Sequence, residues 1–137
     1  MTYILDTNVF SALMRGDPTA VARLARVEPR EVAVPQPVLA EIAYGIERLP
    51  RSKRRTLLAS RFELLRRELA RVVWSDQISD EFGRIKATLE RRGQRIEDFD
   101  AAIAAHALAA GATLVTANKR HLSRIPSLAI EDWLAAG

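Results

Sequence analysis

Residues 98–116 read DFDAAIAAHALAAGATLVT, and this stretch decides the predicted fold. Its alanine-rich first part predicts a helix over residues 98–110, with Gly111 as the C-terminal stop. The TLVT at residues 113–116 is an apolar run typical of a buried strand. A helix that leads directly into a buried strand indicates an α/β fold. Because His106 and Gly111 interrupt the apolar character, we do not expect this stretch to span a membrane.

The rest of the chain continues the alternation of short apolar strands and helices. Further strands are predicted at residues 3–5, 31–34 and 128–130. Further helices are predicted at residues 9–14, after the N-cap Asp17, from Pro35 to about Leu49, and from Ser75 to Gly93. Pro50 stops the third of these helices, and a separate basic helix is predicted to follow it to about Val73. We therefore predict a single α/β domain over residues 1–137, a sandwich with a mostly parallel sheet. In such sheets ligands bind beyond the carboxyl ends of the strands. That rule draws attention to Asp6 and to the residues after Thr116.

The composition excludes several classes of protein. The absence of cysteine excludes disulfides, thiolate metal sites and a cysteine nucleophile. The chain has no glycine-rich dinucleotide turn, P-loop or serine-nucleophile motif, and His106 and His121 are not spaced as a zinc-protease pair. The N-terminus lacks the basic and apolar regions of a signal peptide, so we expect a cytoplasmic protein. A net charge of +4 permits a polyanionic partner without establishing one.

A basic segment lies in the middle of the chain. Basic side chains outnumber acidic ones between residues 48 and 71, and the densest part comprises Arg51, Lys53, Arg54 and Arg55. One interpretation is that these cations contact the phosphates of a nucleic acid. The alternative is the solvated face of an amphipathic helix, since apolar residues recur at helical spacing through the same segment. The sequence leaves both interpretations open.

Three carboxylates stand out as candidates for chemistry. Asp6 directly follows the first predicted strand, although it is also a good N-cap for the short helix after it. At about 100° per residue, Glu41 falls at the border of its helix's apolar stripe, where a charge needs an arginine or a metal ion as partner. Asp100 shares the apolar face of its helix with Ile103. Asp98 points the opposite way and is assigned as the N-cap.

If the three carboxylates converge, they repel each other in a low-dielectric cleft unless a divalent cation joins them. Ligand sets made only of oxygen suit Mg²⁺ or Mn²⁺. Such an ion lowers the pKa of bound water and neutralises charge on a phosphate during in-line attack. Acids beside a basic surface therefore favour phosphodiester cleavage, on the assumption of convergence. A metal-dependent phosphatase is less favoured, because no second aspartate follows Asp6 at the second position.

Several motifs resemble those of a known family. ILDTN at residues 4–8, LAEIAYG at 39–45 and DAAIAAHA at 100–107 occur in the order and spacing of PIN-domain nucleases. LVTAN at residues 114–118 and IEDW at 130–133 continue the pattern. The set resembles in particular the VapC toxins of bacterial and archaeal toxin–antitoxin pairs, and the resemblance covers essentially the whole chain.

The resemblance implies a three-layer α/β/α sandwich and a Mg²⁺- or Mn²⁺-dependent endoribonuclease that cleaves RNA. It also implies a homodimer held by a small antitoxin protein that blocks the active site. By the same resemblance, Asp6, Glu41 and Asp100 are the catalytic acids and metal ligands. Thr7 and Asn118 match polar residues that support them.

One position departs from the family pattern. Three residues after Asn118 the family usually has another acid, where this chain has His121. His121 either substitutes as a ligand, since imidazole binds Mn²⁺, or lies outside the metal site, which leaves the number of ions open. The alternative functions are a nucleic-acid-binding PIN-like module with an impaired site and a PIN nuclease of RNA processing. The sequence identifies neither the RNA nor the antitoxin, and we expect the dimer contact around residues 38–65.

Overall fold

The computed structural model describes residues 2–135, and within them five strands form one parallel sheet. The strands are β1 (Tyr3–Leu5), β2 (Val32–Pro35), β3 (Ala70–Val72), β4 (Thr113–Val115) and β5 (Ile130–Glu131). Their order across the sheet is β3-β2-β1-β4-β5, and every neighbouring pair is parallel. In the central strand, Tyr3 lies opposite Val32 on one side and Thr113 on the other. The prediction of a mostly parallel sheet is confirmed.

Seven helices connect these strands within residues 2–135. They are α1 (Thr7–Met14), α2 (Pro18–Ala25), α3 (Gln36–Glu47), α4 (Lys53–Glu68), α5 (Asp76–Arg91), α6 (Asp98–Ala110) and α7 (Lys119–Leu122). Side-chain caps start two of them as predicted: Asp17 Oδ1 accepts the backbone N–H of Ala20, and Ser75 Oγ accepts that of Ile78. Helix α6 ends at Gly111, whose φ of +63° is a conformation that suits glycine.

The strand order places helices on both faces of the sheet. The chain moves from β1 outward through β2 to β3, then crosses back to β4 on the opposite side of β1. Because crossovers between parallel strands are right-handed, α1 to α4 cover one face and α5 and α6 cover the other. The packing is consistent with this, since α1 contacts α2, α3 and α4 and α5 packs most extensively on α6, although α3 also contacts α6. This arrangement is the predicted three-layer sandwich. The order in which the chain adds strands to the sheet reverses between β1 and β4.

The core is densest where α6 lies on the sheet. All residues from 101 to 107 of this helix are buried, as are Ile4 and Leu5 of β1. Each fully buried Ile or Leu side chain, such as those of Ile4 and Leu5, contributes roughly 1.5–3 kcal/mol to folding. Trp133 is also buried, with its ring centroid 5.4 Å from that of Tyr3. The core therefore holds β1 and residues 101–107 of α6 in fixed positions.

The structure corrects the prediction of one long basic helix to about Val73. Helix α4 ends at Glu68, Leu69 is extended, and β3 follows at Ala70–Val72. In this edge strand Ala70 pairs with Ala33 of β2. The helical spacing of the apolar residues continues through Leu69, and periodicity alone does not separate so short a strand from a last helical turn.

Asp98 is also not the N-cap that the sequence predicted. The capping position is Glu97, and Asp98 lies inside the first turn of α6. The Asp98 carboxylate instead accepts a hydrogen bond of 2.7 Å from Lys86 Nζ on α5. This contact depends on the packing of α5 against α6, which the local sequence does not encode. No helix within residues 2–135 combines the length and apolar character needed to cross a membrane.

Candidate active site

Asp6 stands at the carboxyl end of the central strand and is almost completely buried, with 3% of its surface exposed. Its Oδ1 accepts the backbone N–H of Thr7 at 2.7 Å. Its Oδ2 accepts the hydroxyl of Thr116 at 2.6 Å and the side-chain amide of Asn8 at 3.2 Å. Asp6 is thus the N-cap residue of α1. It is also a fixed carboxylate at the switch point between β1 and β4, where the strand order reverses.

Side chains join the ends of β1 and β4 directly. Thr116 Oγ1 donates to Asp6 and accepts the backbone N–H of Asn118 at 2.9 Å. Asn8 Oδ1 accepts the backbone N–H of Ala117 at 3.0 Å. Thr116 and Asn8 were not among the predicted site residues. The available signal was their position directly beyond two strands that a parallel sheet brings side by side.

Glu41 reaches the same region from α3. Thr7 Oγ1 donates to Glu41 Oε1 at 2.6 Å, which links the start of α1 to the middle of α3. Within residues 2–135, Glu41 forms no ion pair with an arginine or lysine. The arginine partner considered for this border carboxylate is therefore not present in the described chain. One carboxylate oxygen of Glu41 is held by Thr7.

Asp100 completes the group from the first turn of α6. Asp6, Glu41 and Asp100 line one cavity of about 470 Å³, here called the acid cavity; its remaining wall is Thr7, Asn8, Ser11, Arg15, Ile42 and Leu134. Partial burial, together with the negative charges of Asp6, Glu41 and Glu97, raises the pKa of Asp100 to about 6. Asp100 is therefore close enough to Asp6 and Glu41 for their negative charges to disfavour its ionised form.

The acid cavity has the chemistry of a site for a hard divalent cation. Its candidate ligands are carboxylate oxygens, which Mg²⁺ and Mn²⁺ prefer. A cation would also relieve the repulsion that contributes to the raised pKa of Asp100. Within residues 2–135, however, no group of three acidic or histidine side chains is close enough together to hold a metal ion. The donor types and the electrostatics of the acid cavity suit such a cation, whereas the spacing of the carboxylates in this structure does not form a metal site.

His121 and Asn118 lie on the neighbouring side of the acids. His121 Nδ1 is 2.9 Å from Asn118 Oδ1. Both residues line a larger cavity of about 1090 Å³ that also includes Glu41 and Asp100 but not Asp6. The structure therefore brings His121 near two of the three acids. Asn118 in turn is held by Thr116 through its backbone N–H.

The four basic residues predicted to contact RNA do not share one surface. Arg51 and Arg55 line a groove along one face of α4 that contains none of the three acids. Arg55 is also tied to Glu47 at 2.8 Å and to a backbone carbonyl. Arg54 instead lines a cavity that includes Glu41, and Lys53 is exposed at the start of α4.

Arg15 is a cation of the acid cavity that the sequence reasoning missed. It lies at the C-terminal end of α1, and its guanidinium donates to Ser11 Oγ at 2.7 Å. Helical side chains lean towards the N-terminus of their helix, so Arg15 extends back along α1 towards the acids. The signal for this was the shortness of the helix that Asp6 starts. Because α1 has only eight residues, a long side chain at its C-terminal end can reach back towards Asp6.

Comparison with known proteins identifies the family. The sequence model of the PIN domain matches residues 3–128. The chain belongs to the PIN-domain family. This PIN-domain chain is 31% identical to Ribonuclease VapC2 of Rickettsia felis over 135 residues, covering 97% of the chain and 98% of that protein. It is 28% identical to the tRNA(fMet)-specific endonuclease VapC of Shigella flexneri over 137 residues, covering 97% and 98%.

Solved structures show the same PIN fold. VapBC2 from Rickettsia felis, bound to a DNA fragment from its promoter, contains a chain with a TM-score of 0.87 and 30% identity, covering 97% of this chain and 99% of that one. DNA-bound VapBC from Salmonella typhimurium has a TM-score of 0.87 at 28% identity, covering 97% and 98%. Both likenesses cover 97% of the chain. The recognition of a VapC-type PIN domain from the sequence motifs is confirmed.

The link between Thr116 and Asp6 gives a first prediction. Thr116→Val keeps the side-chain shape but leaves the buried Asp6 carboxylate without its hydroxyl donor and the Asn118 N–H without its acceptor. We expect the free energy of unfolding in urea to fall by about 2 kcal/mol, because hydrogen bonds to charged groups contribute about that much. Thr113→Val makes the same chemical change in β4 away from the acids and serves as control. Equal, small losses in both variants would contradict the assigned role of Thr116.

The raised pKa of Asp100 gives a second prediction, for protein kept metal-free with EDTA. A carboxyl whose pKa is higher in the folded than in the unfolded state stabilises the protein while protonated, and this stability is lost as pH rises through about 6. An asparagine side chain cannot ionise, so Asp100→Asn should gain stability over the parent from about pH 4 to about pH 7. Urea unfolding across this range measures the difference. Stability curves that stay parallel would show that Asp100 ionises without penalty.

Proposed function

We propose that this PIN-domain protein is a metal-dependent endoribonuclease and the toxin of a toxin–antitoxin pair, acting in the cytoplasm. The observation that carries the proposal is the acid cavity, where Asp6, Glu41 and Asp100 meet at the switch point of a parallel sheet. Relatives named as ribonucleases match 97% of the chain or more, so the similarity includes every element that positions these acids. Acids at this place support hydrolysis of a phosphodiester bond.

Asp6, Glu41 and Asp100 would hold the Mg²⁺ or Mn²⁺ ion. When bound, such an ion supplies a water of lowered pKa and offsets the negative charge that develops on the phosphate. The chain's own contribution is to fix the carboxylates before RNA arrives. Thr116 and Asn8 hold Asp6, and Thr7 holds one oxygen of Glu41. Oriented ligands lower the reorganisation needed to reach the transition state.

Asp100 is an acid whose ionisation the cavity disfavours. Burial and the neighbouring carboxylates favour its protonated form, with a pKa of about 6. It must lose that proton to bind a cation, so metal binding and proton release are coupled. His121 lines the adjoining space and is a candidate additional ligand, which leaves one or two ions compatible with the residues present.

A small antitoxin is the proposed protein partner, because the similar structures from Rickettsia felis and Salmonella typhimurium are VapBC complexes. A homodimer is the proposed assembly. Within residues 38–65, Leu64 is 60% exposed and, with Ala59, lines the groove on the face of α4 that contains none of the three acids. Burying such surface against a second copy would be favourable. An RNA-processing nuclease and a nucleic-acid-binding module with an impaired site are the alternatives, the second because of His121.

The test is cleavage of a mixed cellular RNA pool by antitoxin-free protein in Mg²⁺, Mn²⁺ and EDTA. Asp100→Asn should lower the rate at least about a hundredfold, as expected when a group that stabilises developing charge is removed. Asp98→Asn, two residues earlier on the same helix turn, removes the same charge from an exposed carboxylate paired with Lys86. We expect this control to cleave at a rate of the same order as the parent.

Three outcomes would contradict the proposal in different ways. If folded parent protein cut no RNA in either metal, the impaired-module alternative would be favoured. If Asp100→Asn cleaved as fast as the parent with saturating metal, the enzyme would be a nuclease with its chemistry elsewhere. Cleavage that persists unchanged in EDTA would remove the metal from the account.

A further inference from the structure

Two further cavities adjoin the acid cavity. Glu41 lines all three spaces, so they lie side by side around it. On one side Asp100 is shared with the cavity of about 1090 Å³ that contains His121, here called the mixed arm. On the other side Arg15 and Ile42 are shared with a cavity of about 410 Å³ between α1, α3 and α4. We call this second space the arginine arm.

The two arms differ in how their cations are used. In the mixed arm, Lys86 Nζ is 2.7 Å from Asp98 and Arg95 Nε is 3.9 Å from Glu90. These positive charges are already opposed by carboxylates, and Glu97 lines the same arm. The mixed arm therefore has little free positive charge to offer a polyanion.

The arginine arm has the opposite character. Arg15, Arg48 and Arg54 line it, and within residues 2–135 none of them forms an ion pair with a carboxylate. All three are exposed. Arg61 is fixed separately by donating to the Met14 carbonyl at 3.1 Å. Glu41 is the one carboxylate among the residues that line this groove, so the guanidinium groups outnumber it, and a string of phosphates would supply the missing negative charge.

The remaining wall of the arginine arm suits a nucleic-acid strand. Ile46, Leu57 and Leu58 give it an apolar surface between the arginines. Ribose rings and base faces can pack on such a surface while phosphates face the guanidinium groups. Arg48 also lies over the exposed ring of Tyr44, 5.8 Å from its centroid, which orients one of the cations.

We propose that the arginine arm holds the phosphates on one side of the scissile bond, so that a single RNA strand is bound asymmetrically across the acid cavity. The proposal rests on the proposed ribonuclease function and adds the path of its substrate. Phosphate contacts of this kind set the register of the strand without reading its sequence. The three arginines lie at the ends of α1 and α3 and at the start of α4. Of the four basic residues predicted to contact RNA, only Arg54 lines the arm.

The test measures binding of a 5′-fluorescent single-stranded RNA of mixed sequence by anisotropy, in Mg²⁺ and across a salt series. The proteins carry Asp100→Asn so that the RNA stays intact. Arg15→Gln, Arg48→Gln and Arg54→Gln should each weaken binding about tenfold at low salt, since each removes charge-assisted hydrogen bonds. Each should also flatten the slope of log affinity against log salt by about 0.7, the value for one lost phosphate contact on a single strand.

Two controls remove a positive charge elsewhere. Arg92→Gln changes an exposed arginine at the end of α5 that lines none of the three cavities. Lys86→Gln changes a cation of the mixed arm that is already paired. Both should leave the affinity and the salt slope close to those of the parent. Unchanged thermal unfolding of all the variants would show that the fold is intact.

A second readout uses the arginine variants in otherwise unchanged protein. Arg48→Gln and Arg54→Gln should raise KM for RNA cleavage while kcat changes little, since they remove ground-state binding at side chains that do not line the acid cavity. If the parent cuts no RNA, the proposed function fails. If the parent cuts RNA but the arginine variants match Arg92→Gln in slope and KM, the arginine arm is not the substrate path. The proposal fails equally if these variants lose only the binding of an acidic protein segment.

Discussion

The hydrogen bond from Thr116 Oγ1 to Asp6 Oδ2 joins the ends of β1 and β4, where the sheet reverses direction. Asp6 is nearly inaccessible to solvent, so its carboxylate depends on donors that the protein supplies. Those donors come from the residues directly after the two strands. The parallel pairing of β1 with β4 is therefore what makes a buried carboxylate tolerable at this place. Glu41 and Asp100 are then added from helices on opposite faces of the sheet.

The cost of ionising Asp100 is the second constraint on the site. Three carboxylates line one cavity, and the pKa of Asp100 is raised first by its burial and then by the negative charges of Asp6 and Glu41. A protein without a use for this arrangement would gain stability by replacing Asp100 with a neutral residue. In the adjoining arginine arm the excess charge has the opposite sign, since several arginines line it with the single carboxylate Glu41. The free protein thus keeps two sets of like charges that a cation and a polyanion would each relieve.

The sequence was sufficient for the fold wherever the signal was local. Helix α6 and its glycine stop were predicted at the residues where they occur, and the resemblance to PIN domains agreed with the sheet. The edge strand β3 was missed because three residues after a long helix carry no distinctive period. Asp98 was wrongly assigned as the N-cap. Its bond to Lys86 could not be predicted, because it arises only when α5 packs on α6.

The candidate site was predictable to a similar extent. Helix-face reasoning selected Glu41 and Asp100 one at a time, and the structure places both in one cavity with Asp6. Their roles as ligands and catalytic groups stay predictions. The residues that hold the acids or surround them, such as Thr116 and Arg15, were missed because their importance comes from tertiary neighbours. Arg54 faces the groove and Arg55 does not, a difference that depends on how α4 is rotated against α3.

Direct measurement of Mn²⁺ binding tests the central claim that these three carboxylates form a metal site. The electron paramagnetic resonance signal of free Mn²⁺ reports binding during titration of metal-free protein, without requiring any RNA. We expect saturable binding in the parent and in Asp98→Asn, and at least about tenfold weaker binding in Asp100→Asn, as for the loss of groups that hold or orient a metal. Binding by Asp100→Asn as tight as that of the parent, or no saturable binding by the parent, would contradict the claim.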